Sequence, residues 1–176
     1  MGVTIRIRRA EPGDAAAFAR VLAPVEVFAN TLQQPYPSVE HWKARLASNA
    51  PIEAPLIAEV DGEVVGFAGL HRETGPRRAH AAHLGITVDR DWQGKGIGRA
   101  LMHALLDVAD NWLGLQRIEL GVFSDNARAI KLYESCGFVR EAVLRGDALR
   151  NGQFADTVVM ARLHPNPPQL PTEENT

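Results

Sequence analysis

The sequence predicts an α/β (α+β) single domain with a central mixed, largely antiparallel twisted sheet that is flanked by helices. Three observations carry this prediction. Segments that alternate apolar and polar residues recur as strands, amphipathic helical segments stand between them, and turn dipeptides join neighbouring strands into hairpins. The 176 residues suffice for one domain with a sizeable core, and we find no internal repeat that divides them.

The first half of the chain supplies two predicted helices and four predicted strands. VTIRIRRA alternates as a strand, and we expect Asp14 to cap the helix AAAFARVLA that follows it. Residues 24–38 are irregular and rich in proline, and Ser38 opens a second helix, VEHWKARLAS. The segment PLIAEVDGEVVGFAGL predicts a hairpin around Asp61-Gly62, and AHAAHLGITVD predicts the next strand.

The second half adds two helices, one strand and another hairpin. RIELGVF alternates as a strand, and the helix within SDNARAIKLYESCGF is expected to end at Gly137. FVREAVLRGDAL and FADTVVMARL predict a hairpin around Asn151-Gly152. We therefore predict a domain over residues 3–163 and a flexible, proline-rich tail over 164–176. The helix before RIELGVF should bury one face, which is formed by Ile97, Leu101, Leu105, Val108 and Trp112.

Composition argues against several classes of function. The formal net charge of −2 gives no overall positive potential for nucleic acid or an anionic membrane, so we expect neither as a partner. The single cysteine, Cys136, cannot form an internal disulfide, and its place near a helix end favours a core residue over a nucleophile. No apolar run approaches the roughly 20 residues of a membrane span. The N-terminal stretch lacks a secretory pattern, and we expect a cytoplasmic protein.

The segment DRDWQGKGIGRALM has the character of an anion site. Glycines admit a ligand close to backbone N–H groups, and a helix N-terminus contributes about half a positive charge. Lys95 and Arg99 add cationic groups at the same end. The pattern indicates a phosphate cradle, with a plain glycine-rich turn as the alternative.

Two common nucleotide motifs do not fit this segment. A dinucleotide-binding turn needs G-x-G-x-x-G after the first strand, whereas this segment lies in mid-chain with a different glycine spacing. A phosphate-binding loop of the Walker type needs Gly-Lys followed by Ser or Thr, but Gly94-Lys95 is followed by Gly96.

The spacing of Gln93, Gly96 and Gly98 resembles the acetyl-coenzyme A pyrophosphate loop of the GNAT superfamily of N-acetyltransferases. LGITVDRDWQGKGIGRALM is similar to that family's strand–loop–helix, and VFSDNARAIKLYESCGF is similar to its second cofactor element. The resemblance runs from Ile5 to about Leu163 and implies acetyl-CoA as co-substrate. The implied cofactor-binding residues are Ile86, Thr87, Val88, Gln93, Gly94, Lys95, Gly96, Ile97, Gly98, Arg99, Asn126 and Ala129.

Acetyl transfer from a thioester to an amine needs a deprotonated amine, a donor to the developing oxyanion and an acid for the leaving thiolate. By the resemblance, Tyr133 is the general acid, and Asn126 bonds the pantetheine arm beside Ala129. Helical spacing places Ala129 and Tyr133 on one face. The alternative for Tyr133 is a core aromatic. Oxyanion donors are expected from the backbone of strand residues 86–88.

The general base is less clearly marked in the sequence. Many members of the family carry a glutamate on the strand before the loop, but AAHLGITV holds no carboxylate. His83 is our catalytic candidate, because a histidine accepts a proton near neutral pH, and His80 is a second. Water-mediated deprotonation without a dedicated base stays open. The other histidines show no metal-ligand spacing, so we expect no metal.

The acceptor is inferred from the loop after the first helix and from the late hairpin. PVEVFANTLQQPYPS, DNWLGLQRIEL and ALRNGQFADTVVMARL together are similar to a bacterial subgroup that acetylates the α-amine of L-amino acids, including phenylalanine and methionine. An ordinary surface loop is the alternative for the first of these segments. The substrate-binding candidates are Asn30, Thr31 and Gln34 as polar contacts, and Phe28 and Tyr36 as apolar ones.

The resemblance thus implies direct attack of a small amine on acetyl-CoA in a ternary complex. A peptide or protein N-terminus or an amine antibiotic is the alternative acceptor. A non-catalytic acyl-CoA-binding protein and an unrelated nucleotide-phosphate binder are alternatives of another class. The apolar strand TVVMARL is a candidate interface for a homodimer.

Overall fold

The structure is a computed structural model that describes residues 4–47 and 52–170. Seven strands form one sheet in the order β1-β2-β3-β4-β5-β7-β6. In this part of the chain β4 and β5 are the parallel pair, and the other neighbouring strands are antiparallel. The predicted mixed, mostly antiparallel sheet is confirmed. The strands are β1 Arg6–Arg9, β2 Ile52–Val60, β3 Glu63–Arg72, β4 Ala81–Val88, β5 Arg117–Phe123, β6 Val139–Arg150 and β7 Gln153–Leu163.

Helices cover both faces of the sheet. The described α-helices are α1 Ala15–Leu22, α2 Val25–Phe28, α3 Val39–Ala47, α4 Ile97–Asp107 and α5 Ala127–Ser135. Short 3₁₀ turns lie at Pro12–Asp14, Pro76–Arg78 and Arg90–Trp92, and a π-helical turn at Val108–Trp112 follows α4. Among the described residues, no helix has the length and apolar character needed to cross a bilayer.

Most of the predicted local structure is confirmed. Both hairpins turn where the dipeptides indicated, with Gly62 and Gly152 at positive φ. Gly137, at φ +88°, follows the end of α5. The Ser38 hydroxyl accepts a hydrogen bond from the His41 backbone N–H at 3.2 Å and so caps α3. Val3, at the start of the first predicted strand, lies outside the described residues.

Two details of the prediction are wrong. The Asp14 carboxylate does not cap α1, because it accepts two hydrogen bonds of 2.9 Å from the Arg8 guanidinium. Such a charge-assisted, bidentate contact is stronger than a neutral cap. Trp112 does not belong to the buried face of α4 and is 79% exposed. The N–H of Leu113 bonds the carbonyl of Val108 at 3.0 Å, and this wider turn rotates Trp112 away from the core.

The predicted end of the domain is only partly described. After β7, the His164 N–H still bonds the Gln116 carbonyl at 2.9 Å, so the ordered contacts reach one residue beyond the predicted boundary. Residues 171–176 of the predicted tail lie outside the described residues.

The two faces of the sheet bury separate cores. The larger core packs α4 against one face and includes Leu101, Leu105 and Ile118. The smaller core packs α1 and α3 against the other face, around Phe18 and Trp42. Between the two cores, β4 and β5 pair only from Ala81–His83 to Arg117–Glu119. Beyond that point the strands separate, and the gap opens a passage through the middle of the sheet.

Candidate active site

A cavity of about 950 Å³ occupies the gap between β4 and β5. Its lining runs from the glycine loop before α4, past β4, β5 and α5, to α1, α3 and the loop after α2. It joins two chemically different regions. We call the region around the glycine loop the cofactor end, and the region around α1, α3 and the start of β4 the acceptor end.

The glycine loop opens the cofactor end. Gly94 and Gly96 have φ of +77° and +87°, a backbone conformation that residues with a Cβ rarely adopt. Gly96 is the N-cap of α4 and, like Gly94 and Gly98, lines the cavity. The unpaired N–H groups of the first helical turn therefore lie beside the cavity, where they favour an anion.

The side chains of the loop divide between the cavity and other contacts. Gln93 lines the cavity, donates to the Val88 carbonyl at 3.1 Å and accepts a hydrogen bond from Arg128. Arg99 and Arg128 also line the cavity and supply positive charge. Lys95 is not among the lining residues, and its ammonium lies 4.5 Å from the centroid of the Trp92 ring. Ile97 is 1% exposed and packs in the larger core.

The opposite wall of the cofactor end comes from β4 and α5. Ile86, Thr87 and Val88 line the cavity where β4 has left its parallel partner. Asn126 and Ala129 line it from the start of α5. The Asn126 side-chain oxygen accepts a hydrogen bond from the Ala129 N–H at 3.1 Å, so this asparagine also caps the helix.

Tyr133 lies one helical turn beyond Ala129 and also lines the cavity. The residue is 8% exposed, and its ring packs 6.0 Å from that of Phe138. Desolvation by burial, with a smaller effect of Cys136, raises the pKa of Tyr133 to about 12. The phenol therefore keeps its proton throughout the neutral range.

A row of polar side chains crosses the sheet at the acceptor end. His71 on β3 pairs directly with His83 on β4, and His83 pairs with Glu119 on β5. All three line the cavity. His83 Nε2 lies 2.7 Å from Glu73 Oε1 and 3.5 Å from Glu119 Oε2. His83 is thus the histidine that the fold holds between two carboxylates, whereas His80 is exposed and does not line the cavity.

On the same face of the sheet, the row next to these polar residues consists of glycines. Gly69 on β3 pairs with Gly85 on β4, and Gly121 stands two residues beyond Glu119 on β5. All three glycines line the cavity. A Cβ built on Gly85 would meet no atom within 4 Å. These glycines keep the floor of the cavity open beside the histidine row.

The family model described as "Acetyltransferase (GNAT) family" matches residues 22–138. The chain belongs to this acetyltransferase family. That match contains the glycine loop, both histidines of the row and Tyr133, so most of the cavity lining lies in the part of the chain that matches the GNAT family.

Individual relatives agree with this assignment. The L-amino acid N-acetyltransferase AaaT of Escherichia coli (strain K12) is 45% identical over 159 residues, which are 90% of this chain and 98% of that protein. A solved GNAT-family acetyltransferase from Streptococcus pneumoniae superposes with a TM-score of 0.78 at 26% identity and covers 91% of this chain and 99% of its own. Spermidine N-acetyltransferase from Vibrio cholerae, solved with CoA and spermine, gives a TM-score of 0.79 at 27% identity, over 91% and 95% of the two chains.

The acceptor end of this GNAT enzyme holds side chains that the sequence did not single out. Phe18, Trp42 and Phe67 form an aromatic wall, with the rings of Phe18 and Phe67 stacked 4.0 Å apart. Arg45 lines the same region, its guanidinium 5.3 Å from the Trp42 ring centroid. Desolvation first, and then the charges of Arg45 and His83, lower the pKa of His71. These residues come from α1, α3 and β3, so only the packing of the helices on the sheet brings them together.

The loop after α1 contributes less of the acceptor end than expected. Asn30 and Thr31 line the cavity, but both side chains also bond locally, to the carbonyls of Glu26 at 2.9 Å and Phe28 at 2.8 Å. The other three candidates do not line the cavity: Phe28 is half-buried, while Gln34 and Tyr36 are exposed, Tyr36 by 94%. The neighbouring Leu32 and Gln33 line the cavity instead.

Proposed function

We propose that this GNAT enzyme transfers the acetyl group of acetyl-CoA to the α-amine of a small L-amino acid, by direct attack in a ternary complex. The observation that carries the proposal is one continuous cavity. Its anion-favouring end suits a pyrophosphate, and its other end presents a histidine beside an aromatic wall. The L-amino acid acetyltransferase of E. coli, at 45% identity, supports the choice of acceptor.

At the cofactor end, the backbone of the glycine loop holds the pyrophosphate, with Gln93 fixing the loop to Val88. Arg99 and Arg128 add charge near the phosphates. The backbone of residues 86–88 faces the pantetheine arm and supplies the N–H donors for the oxyanion. Asn126 bonds the arm through the amide NH₂ that its capping bond does not use. Lys95 and Ile97 contribute through their backbone only, because their side chains point elsewhere.

The chemical steps need two side chains. His83 removes a proton from the acceptor ammonium, and the free amine attacks the thioester carbon. Tyr133 donates a hydrogen bond to the leaving sulfur. Since a phenol with a pKa of about 12 is a weaker acid than a thiol near 8.5, the phenol alone cannot drive the proton to sulfur. After attack, the nitrogen loses its second proton to Tyr133, and this proton replaces the one that Tyr133 gives to the thiolate.

At the acceptor end, the aromatic wall of Phe18, Trp42 and Phe67 suits an apolar amino-acid side chain. Arg45 provides positive charge for the α-carboxylate, and His71, whose lowered pKa favours the neutral imidazole, can donate a hydrogen bond to it. Asn30 and Thr31 border the same space. We do not assign Phe28, Gln34 or Tyr36 a contact with the acceptor, and we propose no metal in the reaction.

The test is free-thiol release from acetyl-CoA with a panel of amines: the L-amino acids, their amides, dipeptides, polyamines and an aminoglycoside. We expect turnover with apolar amino acids such as L-phenylalanine and L-methionine and little with their amides, which lack the carboxylate. Turnover confined to dipeptides would favour a peptide N-terminus, and turnover confined to the aminoglycoside would favour an antibiotic. Tight CoA binding without any turnover would favour a non-catalytic binder.

We further propose that the enzyme acts in the cytoplasm as a homodimer. The predicted interface strand TVVMARL belongs to β7, which lies between β5 and β6 and so offers no free edge. The sheet ends instead at β6, whose outer edge is unpaired in the described part of the chain. An unpaired edge with exposed apolar side chains is a surface on which a second chain can add. Light scattering after size exclusion would measure the mass. The exposed apolar side chains of this region are Val139, Val143, Leu144, Leu149, Phe154 and Leu163.

A further inference from the structure

We infer that Glu73 is the positioning residue of the general base: it binds His83 through Nε2–H and leaves Nδ1 to take the proton of the acceptor amine. This inference rests on the proposed function, because it assigns a partner to the base of that same reaction. Glu73 follows β3 directly and lies outside the two motifs that carry the cofactor site.

The geometry separates the roles of the three side chains. His83 Nε2 lies 2.7 Å from Glu73 Oε1, which is an ion-pair contact and the shortest approach of a carboxylate to this imidazole. The His83 side chain is 52% exposed and lines the cavity, whereas Glu73 is 26% exposed and does not. The carboxylate therefore approaches the imidazole from the side away from the acceptor. A ring held in this way has one nitrogen occupied and the other free for the amine.

Glu119 is the weaker partner of His83. Its Oε2 atom lies 3.5 Å from Nε2, while its Oε1 atom accepts hydrogen bonds from Arg78 at 2.8 Å and Arg117 at 2.5 Å. Burial alone would raise the pKa of Glu119, but these hydrogen bonds outweigh it and lower the pKa. The charge of Glu119 is thus largely compensated. Arg78 stays 3.7 Å from Glu73, which is beyond hydrogen-bond distance. The negative charge of Glu73 is therefore available to stabilise the His83 imidazolium.

The same three residues also resemble a metal site, since one ligand atom from each lies within 4.8 Å of the others. Two facts favour the ion pair of His83 and Glu73 over a metal site. Ligands on a tetrahedral zinc with bonds near 2.0 Å stand about 3.3 Å apart, farther than the 2.7 Å between His83 and Glu73. Two guanidinium groups already occupy Glu119 and would repel a dication.

The proton balance of the step is simple. The N–H bond of the acceptor ammonium breaks, a bond forms between that proton and His83 Nδ1, and the imidazolium is stabilised by the Glu73 carboxylate. After attack, Tyr133 gives its proton to the thiolate as the C–S bond breaks and takes the second proton of the nitrogen, and His83 returns its proton to solvent. The titratable groups beside His83 are His71, Glu73 and Glu119, with Arg78 paired to both carboxylates, Arg117 paired to Glu119 and Glu141, and Arg45 acting on His71.

The test compares Glu73→Gln and Glu73→Ala with a matched control, Glu59→Gln. Glu59 is also a partly buried carboxylate in an ion pair, with Arg8, but lies outside the cavity lining. We expect kcat to fall about tenfold in Glu73→Ala and less in Glu73→Gln, which keeps an acceptor atom but loses the charge. In both, the acid limb of the kcat/KM profile should move to lower pH, because the imidazolium loses an adjacent negative charge. The KM for acetyl-CoA should stay unchanged, and the control should match the wild type.

Three results would overturn the inference. The first is an active enzyme whose kcat and pH profile do not respond to Glu73→Ala. The second is an acid limb that persists unchanged in His83→Gln. The third is activity that a chelator removes and zinc restores.

A measurement without turnover separates this inference from the proposed function. ¹⁵N resonances of His83 above its titration should show the tautomer with the proton on Nε2. The opposite tautomer overturns the inference even if the enzyme is active. An inert wild-type protein with the expected tautomer would instead remove the proposed function and leave the pairing of Glu73 with His83 standing.

Discussion

The cofactor end and the acceptor end of one cavity are built by different means. The cofactor end comes from two short, continuous segments, and its main binding groups are backbone N–H groups that glycines at positive φ expose. The acceptor end takes side chains from α1, α3 and three strands, and these elements are spread along the chain from Phe18 to Glu119. Local sequence can specify a site made from backbone, whereas a site made from scattered side chains depends on strand register and helix packing.

The loss of the Tyr133 hydroxyl would test the chemistry between the two ends, and we expect the largest effect here. Tyr133→Phe should lower kcat about 100-fold or more, the size of a general-acid contribution. Coenzyme A affinity and thermal stability should stay near wild type, because the ring keeps its packing against Phe138. Titration calorimetry beside the thiol-release assay separates the two quantities. A variant with full turnover would make Tyr133 a core aromatic.

Filling the floor of the acceptor end is the next test. Gly85→Val adds a side chain whose Cβ meets no atom within 4 Å and therefore projects into open cavity. If the acceptor uses that space, overpacking of about 1–3 kcal/mol should raise the acceptor KM about tenfold or more. The melting temperature should not change. An unchanged acceptor KM would place the acceptor elsewhere in the cavity.

The matching change at the cofactor end is Gly96→Ala. A Cβ here also meets no atom within 4 Å, so only the backbone conformation, at φ +87°, is penalised. A left-handed backbone costs a residue with a Cβ roughly 1–2 kcal/mol, and we expect the KM for acetyl-CoA to rise about fivefold. Gly75→Ala is the control, since that glycine has open space but no positive φ and lies outside the cavity.

The smallest expected effect is that of an exposed charge. Arg128→Gln removes a cation beside the loop, and surface charges contribute about 0.2–1 kcal/mol. We expect the KM for acetyl-CoA to rise about two- to threefold in dilute buffer and the difference to shrink at high salt. A large effect that salt does not change would instead indicate that Arg128 fixes the loop through Gln93.

The sequence was sufficient for much of the fold and for the elements of the cofactor end, because turn dipeptides, strand alternation and the glycine loop are local signals. It did not reveal the π turn that exposes Trp112, because alternation and capping patterns do not distinguish this wider turn from a continued α-helix. It did not reveal Glu73 and Glu119, because only the pairing of β3, β4 and β5 brings them to His83. Glu119 lies on the polar face of RIELGVF, and this pattern could have marked it as a candidate site residue. The polar face of a strand usually contacts only solvent, however, so the pattern alone was not sufficient.

The division of the cavity into two ends is tested most directly by measuring both Michaelis constants in the two cavity glycine variants. We predict a crossed pattern: Gly85→Val raises the KM of the amino acid and leaves that of acetyl-CoA unchanged, and Gly96→Ala does the reverse. If both constants rise together in both variants, or if the pattern is inverted, the cavity is not divided in this way.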